Sequence, residues 1–228
     1  MSDAIVRSSS PITLIGAGNV PPGALAASLT MAPGIVCADG GADVALAKGL
    51  DPLAVIGDFD SLSDRARMAI APDRLHPIAE QDSTDFDKCL RHIAAPLVLG
   101  IGFDGSRIDH QLAAFNALVR HPDRRCILLG GEMITFVAPP ELRVDLPVGT
   151  LLSLFPMARV EGRSNGLRWP IEGLQFAPDG RVGTSNEVCG PVHLWLDDPK
   201  MLVMLPLSAL PQAAAAVMAA PAWPVRAE

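Results

Sequence analysis

Two aspartates separated by one residue follow a short apolar run in the first half of the chain. Residues 55–61 read VIGDFDS, so Asp58 and Asp60 come directly after a run that is typical of a buried strand. Two carboxylates on a turn can face one hard cation, and Mg²⁺ binds through few carboxylates while phosphate oxygens and water take its other positions. An Asx turn or a helix cap would use the same residues. The pattern favours the metal site.

A third aspartate and an acidic–basic pair extend this chemistry. Asp39 ends the apolar run of the segment CADGGA, where it either faces a ligand or caps the following helix. In residues 80–90, EQDSTDFDKCL, Asp85 and Lys88 lie three positions apart at the start of a predicted helix. Such a pair suits a metal-bound polyphosphate, because the carboxylate holds the ion while the ammonium and the helix N–H groups bind oxygens. An ordinary ion pair on a capped helix is the alternative.

Two further segments have residues that could contact phosphate. In residues 102–110, GFDGSRIDH, Arg107 can form bidentate hydrogen bonds to phosphate, and Asp109 can bind metal or hold the arginine. Residues 16–19, GAGN, follow a predicted strand and could direct backbone N–H groups to phosphate. They lack the third glycine of a dinucleotide fingerprint, so a tight strand-to-helix turn is the simpler interpretation.

The elements that must position these residues alternate between strand and helix over the first 130 residues. Strands are predicted at 12–15, 35–38, 55–57 and 97–101, and helices at 42–48, 64–71, 83–93 and 108–121. This alternation predicts an α/β domain with a mainly parallel sheet between helices. In such a sheet ligands bind outside the carboxyl ends of the strands, where the aspartates lie.

The pattern changes after about residue 130. Short apolar runs separated by Gly, Pro, Asp and Asn predict an antiparallel β-sandwich or barrel. We therefore expect an α/β nucleotide- and metal-binding domain at 1–138, a β-sandwich domain at 139–210 and a frayed C-terminal tail at 211–228. Pro139 and Pro140 mark the first boundary, since they interrupt any regular element.

Composition excludes several classes of partner. The chain has 228 residues, with 18 Lys+Arg against 25 Asp+Glu and no Tyr, so its charge of -7 argues against nucleic-acid binding. Between Asp39 and Asp109 there are 13 acidic and 7 basic residues, which places -6 of that charge in this segment. No apolar run approaches a membrane span, and the N-terminus is not a signal peptide. The four dispersed cysteines predict buried thiols and a reducing cytoplasm.

The acidic motifs resemble, in order and spacing, those of the thiamine pyrophosphokinase family. They are DGGA from Asp39, GDFDS from Gly57, QDSTDFDKCL from Gln81 and GSRIDH from Gly105. SLFP at 153–156 and GTSNE at 183–187 extend the resemblance, which runs from about residue 37 to 188. It implies an α/β nucleotide-binding domain followed by a β-sandwich that contributes to the substrate site, and a homodimer with sites between subunits.

The same resemblance implies that the protein transfers the pyrophosphoryl group of ATP to the hydroxyl of thiamine, giving thiamine diphosphate and AMP, with Mg²⁺ as cofactor. The residues matching acids implicated in magnesium binding and catalysis are Asp58, Asp60 and Asp85, with Asp39 matching another functional acid. Those matching thiamine contacts are Gln81, Ser185 and Asn186. Those matching contacts to nucleotide phosphates are Thr84, Lys88, Arg107 and Asp109. A tryptophan that some relatives place near the C-terminus is replaced by residues 198–202, DPKML, where we expect an aliphatic contact.

Other functions would use some of these residues. A pterin pyrophosphokinase differs only in the acceptor, and a metal-dependent nucleotide-sugar transferase would hold metal and diphosphate with the DFD segment. A sensor that binds thiamine or nucleotide without catalysis is the alternative outside the enzymes. All the expected acids are present, which favours the enzyme.

Overall fold

Parallel strands give way to antiparallel strands along the chain in the computed structural model, which describes residues 4–105 and 107–225. Ser106 of the GSRIDH motif and the last three residues of the predicted tail lie outside the described residues. One compact unit runs up to Ala117 and includes Leu128–Gly131, and the other comprises Leu118–Ile127 and the chain from Glu132 onward.

The helices are α1 (Pro22–Met31), α2 (Gly41–Ala47), α3 (Asp64–Ala69), α4 (Asp85–His92), α5 (Ile108–Arg120) and α6 (Leu210–Ala219). The strands are β1 (Val6–Arg7), β2 (Ile12–Ile15), β3 (Gly34–Ala38), β4 (Ala54–Gly57), β5 (Leu75–Pro77), β6 (Ile93–Ala94), β7 (Val98–Ile101), β8 (Cys126–Leu129), β9 (Met133–Val137), β10 (Glu141–Val144), β11 (Leu151–Pro156), β12 (Gly162–Leu167), β13 (Gly183–Leu196) and β14 (Met201–Pro206).

The first unit contains a parallel sheet with the strand order β7-β2-β3-β4-β5. Every residue of β2, β4 and β7 is buried, as expected for strands that are covered on both faces. Because the strands are parallel and in register, with Ile15 beside both Cys37 and Ile101, their carboxyl ends meet at one edge. The segments that follow β2, β3, β4 and β7 contain residues that were predicted from the sequence to bind metal or phosphate.

The second unit is antiparallel, with the order β10-β13-β11-β14-β9 and with β12 also paired to β13. The 14-residue strand β13 takes part in two sheets: its first residues pair with β11, and its last residues lie between β10 and β12. Strands that pass from one sheet to another are typical of packed β-sheets. The predicted fold class, an α/β domain followed by an antiparallel β-sandwich, is confirmed.

Some elements were not predicted. Helix α1, for which the sequence predicted no element, begins at the second of two prolines, a residue that is compatible with a first helical position. Strand β12, GRSNGL, was missed because it has little apolar alternation. Half of the segment predicted to be a frayed tail forms α6, whose Leu210, Ala213 and Val217 are buried. Packing of these small apolar side chains fixes the helix.

The cysteines differ in burial. Cys37, Cys89 and Cys126 are buried, as predicted, whereas Cys189 is exposed and that prediction is wrong. Cys189 lies on β13, where alternate residues point away from the core. Within the described residues, none of the helices has the length and apolar character needed to cross a bilayer.

Candidate active site

Three aspartates at the ends of β3 and β4 bring their carboxylates together. One oxygen each from Asp39, Asp58 and Asp60 lies within 4.8 Å of the others. Asp39 directly follows β3 and Asp58 directly follows β4, which are neighbours in the sheet. Asp39 and Phe59 have φ angles of 42° and 64°, a left-handed conformation that non-glycine residues rarely adopt. The backbone is therefore strained at the two turns that direct these carboxylates.

The Asp39 side chain is buried and only partly hydrogen-bonded. Its Oδ2 accepts a hydrogen bond from the Ser61 backbone N–H at 3.0 Å, whereas its buried Oδ1 has no partner among the described residues. The pKa of Asp39 is raised to about 6. Burial is the largest cause, the Ser61 N–H opposes it, and the nearby Asp85 and Asp60 carboxylates add to it. A buried carboxylate oxygen without a donor, beside two other carboxylates, fits a site for a cation.

Gly57 allows these acids to approach the end of β4. A Cβ at this position would lie 2.8 Å from the Asp39 Cβ and 3.2 Å from Asp85 Oδ1. The first distance is shorter than side chains allow, so a larger residue would displace Asp39. The glycine that begins the GDFDS motif is thus explained by the packing of the acids around it.

Lys88 compensates part of the negative charge from within the fold. Its side chain is only 1% exposed, and its Nζ donates to Asp58 Oδ2 at 2.8 Å and to Asp85 Oδ1 at 3.0 Å. Burial lowers the pKa of Lys88, but the hydrogen bonds that Lys88 donates to the two carboxylates outweigh this effect, and the pKa is raised overall. The hydrogen bond from Lys88 is the main cause of the lowered pKa of Asp58. Lys88 therefore stays charged between the two acids.

Asp39, Asp58 and Asp85 line a cleft of about 670 Å³ in the first unit, whereas Asp60 and Lys88 are not among its lining residues. The glycine-rich segment at 16–19 lines it as well, but its N–H groups are already used: Gly16 donates to Ile101 O at 2.8 Å and Gly18 to Gly102 O at 2.9 Å. A Cβ on Gly16 would lie 2.5 Å from Gly102 O. These glycines therefore serve close packing of two loops, which agrees with the tight-turn interpretation.

The predicted phosphate contacts lie in and around this cleft. Thr84 and Arg107 line it, and Thr84 also caps α4 by accepting a hydrogen bond from the Asp87 N–H. Arg107 donates to both carboxylate oxygens of Asp109, at 2.9 and 2.5 Å, which makes Asp109 the partner of the arginine. The hydrogen bond to Arg107 lowers the pKa of Asp109. Both side chains are exposed, so the arginine is accessible to an anion.

Sequence reasoning missed Arg91 of α4, which ties the loop before this helix to the helix itself. Its guanidinium donates to both oxygens of Glu80, at 2.9 and 3.0 Å, to Ser83 Oγ at 3.1 Å and to Asp87 Oδ2 at 3.0 Å. Gln81, the predicted thiamine contact on this loop, is exposed and is not among the residues that line the cleft. The i,i+4 spacing of Asp87 and Arg91 was the available signal.

The other predicted thiamine contacts, Ser185 and Asn186, belong to the second unit. Asn186 is buried, and its Oδ1 accepts from the backbone N–H groups of Trp169 and Glu187 at 3.2 and 2.9 Å. Its Nδ2 donates to Trp169 O at 2.8 Å. Ser185 is exposed and has φ 60°. Asn186 therefore fixes the position of Trp169, whose side chain is 54% exposed.

The segment expected to supply an aliphatic thiamine contact does not offer its large side chains. Met201 and Leu202 are fully buried in β14 and pack in the core of the second unit. The reason is that this run continues an apolar strand between β11 and β9. The missing aromatic contact is therefore not replaced by these two residues.

Sequence reasoning also missed Asp104, which lines the cleft three residues after β7. Its Oδ1 is buried without a hydrogen-bond partner among the described residues, as is Asp39 Oδ1. The signal was available, because Asp104 stands in the GFDGSRIDH segment just after a strand.

Comparison with known proteins agrees with these motifs. A family model described as "Thiamin pyrophosphokinase, catalytic domain" matches residues 25–128. The chain is 25% identical to thiamine pyrophosphokinase 1 of Arabidopsis thaliana, over 67% of this chain and 70% of the relative. The crystal structure of a thiamin pyrophosphokinase from Geobacillus thermodenitrificans has a similar fold, with a TM-score of 0.68, 22% identity and coverage of 86% of this chain and 96% of that one. The Candida albicans enzyme gives a TM-score of 0.70 at 16% identity, over 90% and 93% of the two chains. The chain is therefore similar to thiamine pyrophosphokinases in its matched catalytic segment, its acidic motifs and its fold.

Proposed function

We propose that this protein is a thiamine pyrophosphokinase, which transfers the pyrophosphoryl group of ATP to the hydroxyl of thiamine and releases AMP. The observation that carries the proposal is the group formed by Asp39, Asp58 and Asp60, whose carboxylates converge within 4.8 Å at the edge of a large cleft. Lys88 lies beside them and is held charged by two of the acids of the motifs. Such a site suits a substrate that carries a polyphosphate with its cation.

Mg²⁺ is the cation that we propose for this site. The donor set consists of carboxylate oxygens only, which suits a hard cation, and the unpartnered Oδ1 of Asp39 is available to it. Asp58 and Asp60 would hold the ion with Asp39, while Asp85, also predicted as a ligand, faces Lys88 at the margin of the group. When bound, the cation neutralises phosphate charge and polarises the reacting phosphoryl group.

The reaction needs alignment and charge neutralisation more than covalent chemistry. The thiamine hydroxyl oxygen attacks the β-phosphorus of ATP, the bond from that phosphorus to the α,β-bridging oxygen breaks, and AMP leaves with the bonding pair. Lys88 and Arg107 stabilise the negative charge that develops on the phosphate oxygens. Asp85 accepts the proton of the thiamine hydroxyl. Its carboxylate suits this role because it lies beside Lys88 and the acidic group of Asp39, Asp58 and Asp60.

The remaining predicted contacts complete the proposal. Thr84 and Asp109 would act at the nucleotide, the first through the start of α4 and the second by holding Arg107. Gln81, Ser185 and Asn186 would contact thiamine. The acidic segment also attracts the positively charged thiazolium ring.

A homodimer located in the cytoplasm is part of the same proposal. The homodimer is supported by large apolar side chains that are exposed on the second unit, among them Trp169, Leu151 and Val182. Exposed apolar groups often mark interfaces between proteins. Light scattering of the purified protein tests the dimer, with a mass of twice 23.9 kDa expected and a mass of 23.9 kDa contradicting it.

The activity is tested by incubating the protein with ATP, Mg²⁺ and thiamine and separating the products by chromatography. We expect AMP and thiamine diphosphate in equal amounts. Release of ADP, or formation of AMP only when a pterin alcohol replaces thiamine, would overturn the proposal. Binding of thiamine and ATP without any product would indicate the sensor.

A further inference from the structure

The two buried side-chain oxygens without a hydrogen-bond partner in the described part of the chain both belong to residues that line the cleft. Buried polar atoms are rarely left unpaired, and an unpaired one in a cleft indicates a group that arrives with a ligand. Asp39 Oδ1 is explained by the proposed cation. Asp104 Oδ1 lies at a different strand end and needs a different partner.

Asp104 is held rigidly at the carboxyl end of β7. Its backbone oxygen accepts a hydrogen bond from the Asn19 N–H at 3.3 Å, and a Cβ on Gly18 would lie 2.7 Å from that oxygen. Burial raises the pKa of Asp104, and the backbone N–H groups of Asp104 and Gly131 offset only part of this effect. Packing therefore holds the Asp104 backbone, and its carboxyl group, although it accepts hydrogen bonds from backbone N–H groups, keeps Oδ1 without a donor among the described residues.

The position of Asp104 within the sheet separates it from the acidic group. β2 lies between β7 and β3, so the segments after β7 and β3 are two interstrand spacings apart, about 10 Å. A nucleotide whose triphosphate lies at the acidic group and Lys88 can extend over the glycine-lined end of β2 toward β7.

The negative charge of Asp104 indicates which part of the nucleotide it can contact. A carboxylate repels phosphate but accepts hydrogen bonds, so the part of ATP that suits it is an uncharged group that donates a hydrogen bond. The ribose is the first such group along ATP from the phosphates, and it carries two neighbouring hydroxyls. In α/β nucleotide-binding folds, an acidic side chain beyond a strand end is a common acceptor for ribose hydroxyls.

We propose that Asp104 Oδ1 accepts a hydrogen bond from a ribose hydroxyl of ATP and selects ribonucleotides over deoxyribonucleotides. This inference rests on the proposed function, because it places the triphosphate at the acidic group. Arg107, three residues later on the same loop, would then contact the phosphates of the same nucleotide.

The test compares ATP with 2′-deoxy-ATP and 3′-deoxy-ATP in the wild type and in Asp104→Ala, with KM for each nucleotide and KM for thiamine measured separately. In the wild type we expect at least one deoxynucleotide to have a KM about 10-fold or more above that of ATP, the effect of losing a hydrogen bond to a charged acceptor. In Asp104→Ala the KM for ATP rises to the deoxynucleotide value, while kcat and the thiamine KM stay within about 2-fold. Asp104→Asn, which keeps one acceptor oxygen and the side-chain shape, should lie between the two.

Asp73→Ala is the matched control, because Asp73 is exposed, precedes β5 and does not line the cleft. Equal KM values for ATP and both deoxynucleotides in the wild type would overturn the inference. So would an Asp104→Ala variant that raises the KM for thiamine instead of ATP, or that raises all nucleotide KM values by the same factor. If the wild type forms no thiamine diphosphate, the proposed function fails, and calorimetric titration with the three nucleotides tests the role of Asp104 independently of turnover.

Discussion

The cleft of the first unit and the start of β13 around Asn186 in the second unit differ in how their buried polar groups are hydrogen-bonded. In the cleft, Asp39 and Asp104 each keep a buried carboxylate oxygen without a partner. In the second unit, the Asn186 amide makes three hydrogen bonds to the backbone of Trp169 and Glu187. The unpartnered oxygens are therefore the ones to which we assign ligands in our proposal, whereas the hydrogen bonds of Asn186 hold the backbone around Trp169.

The largest effect should follow a change within the acidic group. Asp58→Asn removes a proposed cation ligand and one partner of Lys88. We expect kcat for AMP formation at saturating ATP and Mg²⁺ to fall on the order of 10²–10³-fold, the range for loss of one preorganised electrostatic group. The exposed Asp73→Asn should retain wild-type turnover. Near-normal turnover of Asp58→Asn would exclude Asp58 from the site.

The corresponding change in the second unit should act first on stability. Asn186→Ala leaves the Trp169 and Glu187 N–H groups without their acceptor, so we expect the free energy of unfolding to fall by about 1–3 kcal/mol. Urea unfolding measures it, with the exposed Asn165→Ala as a control that should change stability little. Unchanged stability of Asn186→Ala would contradict a shaping role for its side chain.

Asp39 should make stability depend on pH in the absence of a cation. Its pKa in the fold, about 6, lies above the ordinary 3.8, so the folded state holds the proton more tightly than the unfolded state. Stability is therefore lost as pH rises from about 4 to 6, by about 1–2 kcal/mol. Urea unfolding in EDTA should show this loss in the wild type and not in Asp39→Asn, and Mg²⁺ should reduce it. The same pH dependence in both proteins would contradict the assignment.

A smaller effect is expected at the loop before α4. Arg91→Lys keeps the charge but cannot bind Glu80, Ser83 and Asp87 together, so the loop that carries Gln81 loses part of its restraint. We expect a KM for thiamine that is several-fold higher with kcat nearly unchanged, a change in binding rather than chemistry. Arg65→Lys, at an exposed position on α3, should have no effect. A fall in kcat at constant KM would contradict the positioning role.

Much of the first unit could be predicted because its strands are short apolar runs that end in aspartate, as at Asp39 and Asp58. Local patterns of this kind fix which residues meet at one sheet edge. Bonds between distant residues could not be predicted: Lys88 reaches Asp58 over 30 positions, and nothing in the pattern indicates it. The same limit applies to Asp104, whose missing partner is visible only once its surroundings are known. In the second unit, β12 could not be predicted because its polar sequence lacks the alternation of apolar residues that is typical of a strand.

The convergence of Asp39, Asp58 and Asp60 on one cation is the central claim, and a titration with Mn²⁺ in the presence of a non-hydrolysable ATP analogue tests it most directly. The wild type should bind Mn²⁺ through the protein carboxylates as well as through the nucleotide, so its affinity should exceed that of the Asp39→Asn, Asp58→Asn double variant by about 10-fold or more, while Asp73→Asn matches the wild type. Equal Mn²⁺ affinity in the wild type and the double variant would contradict the account.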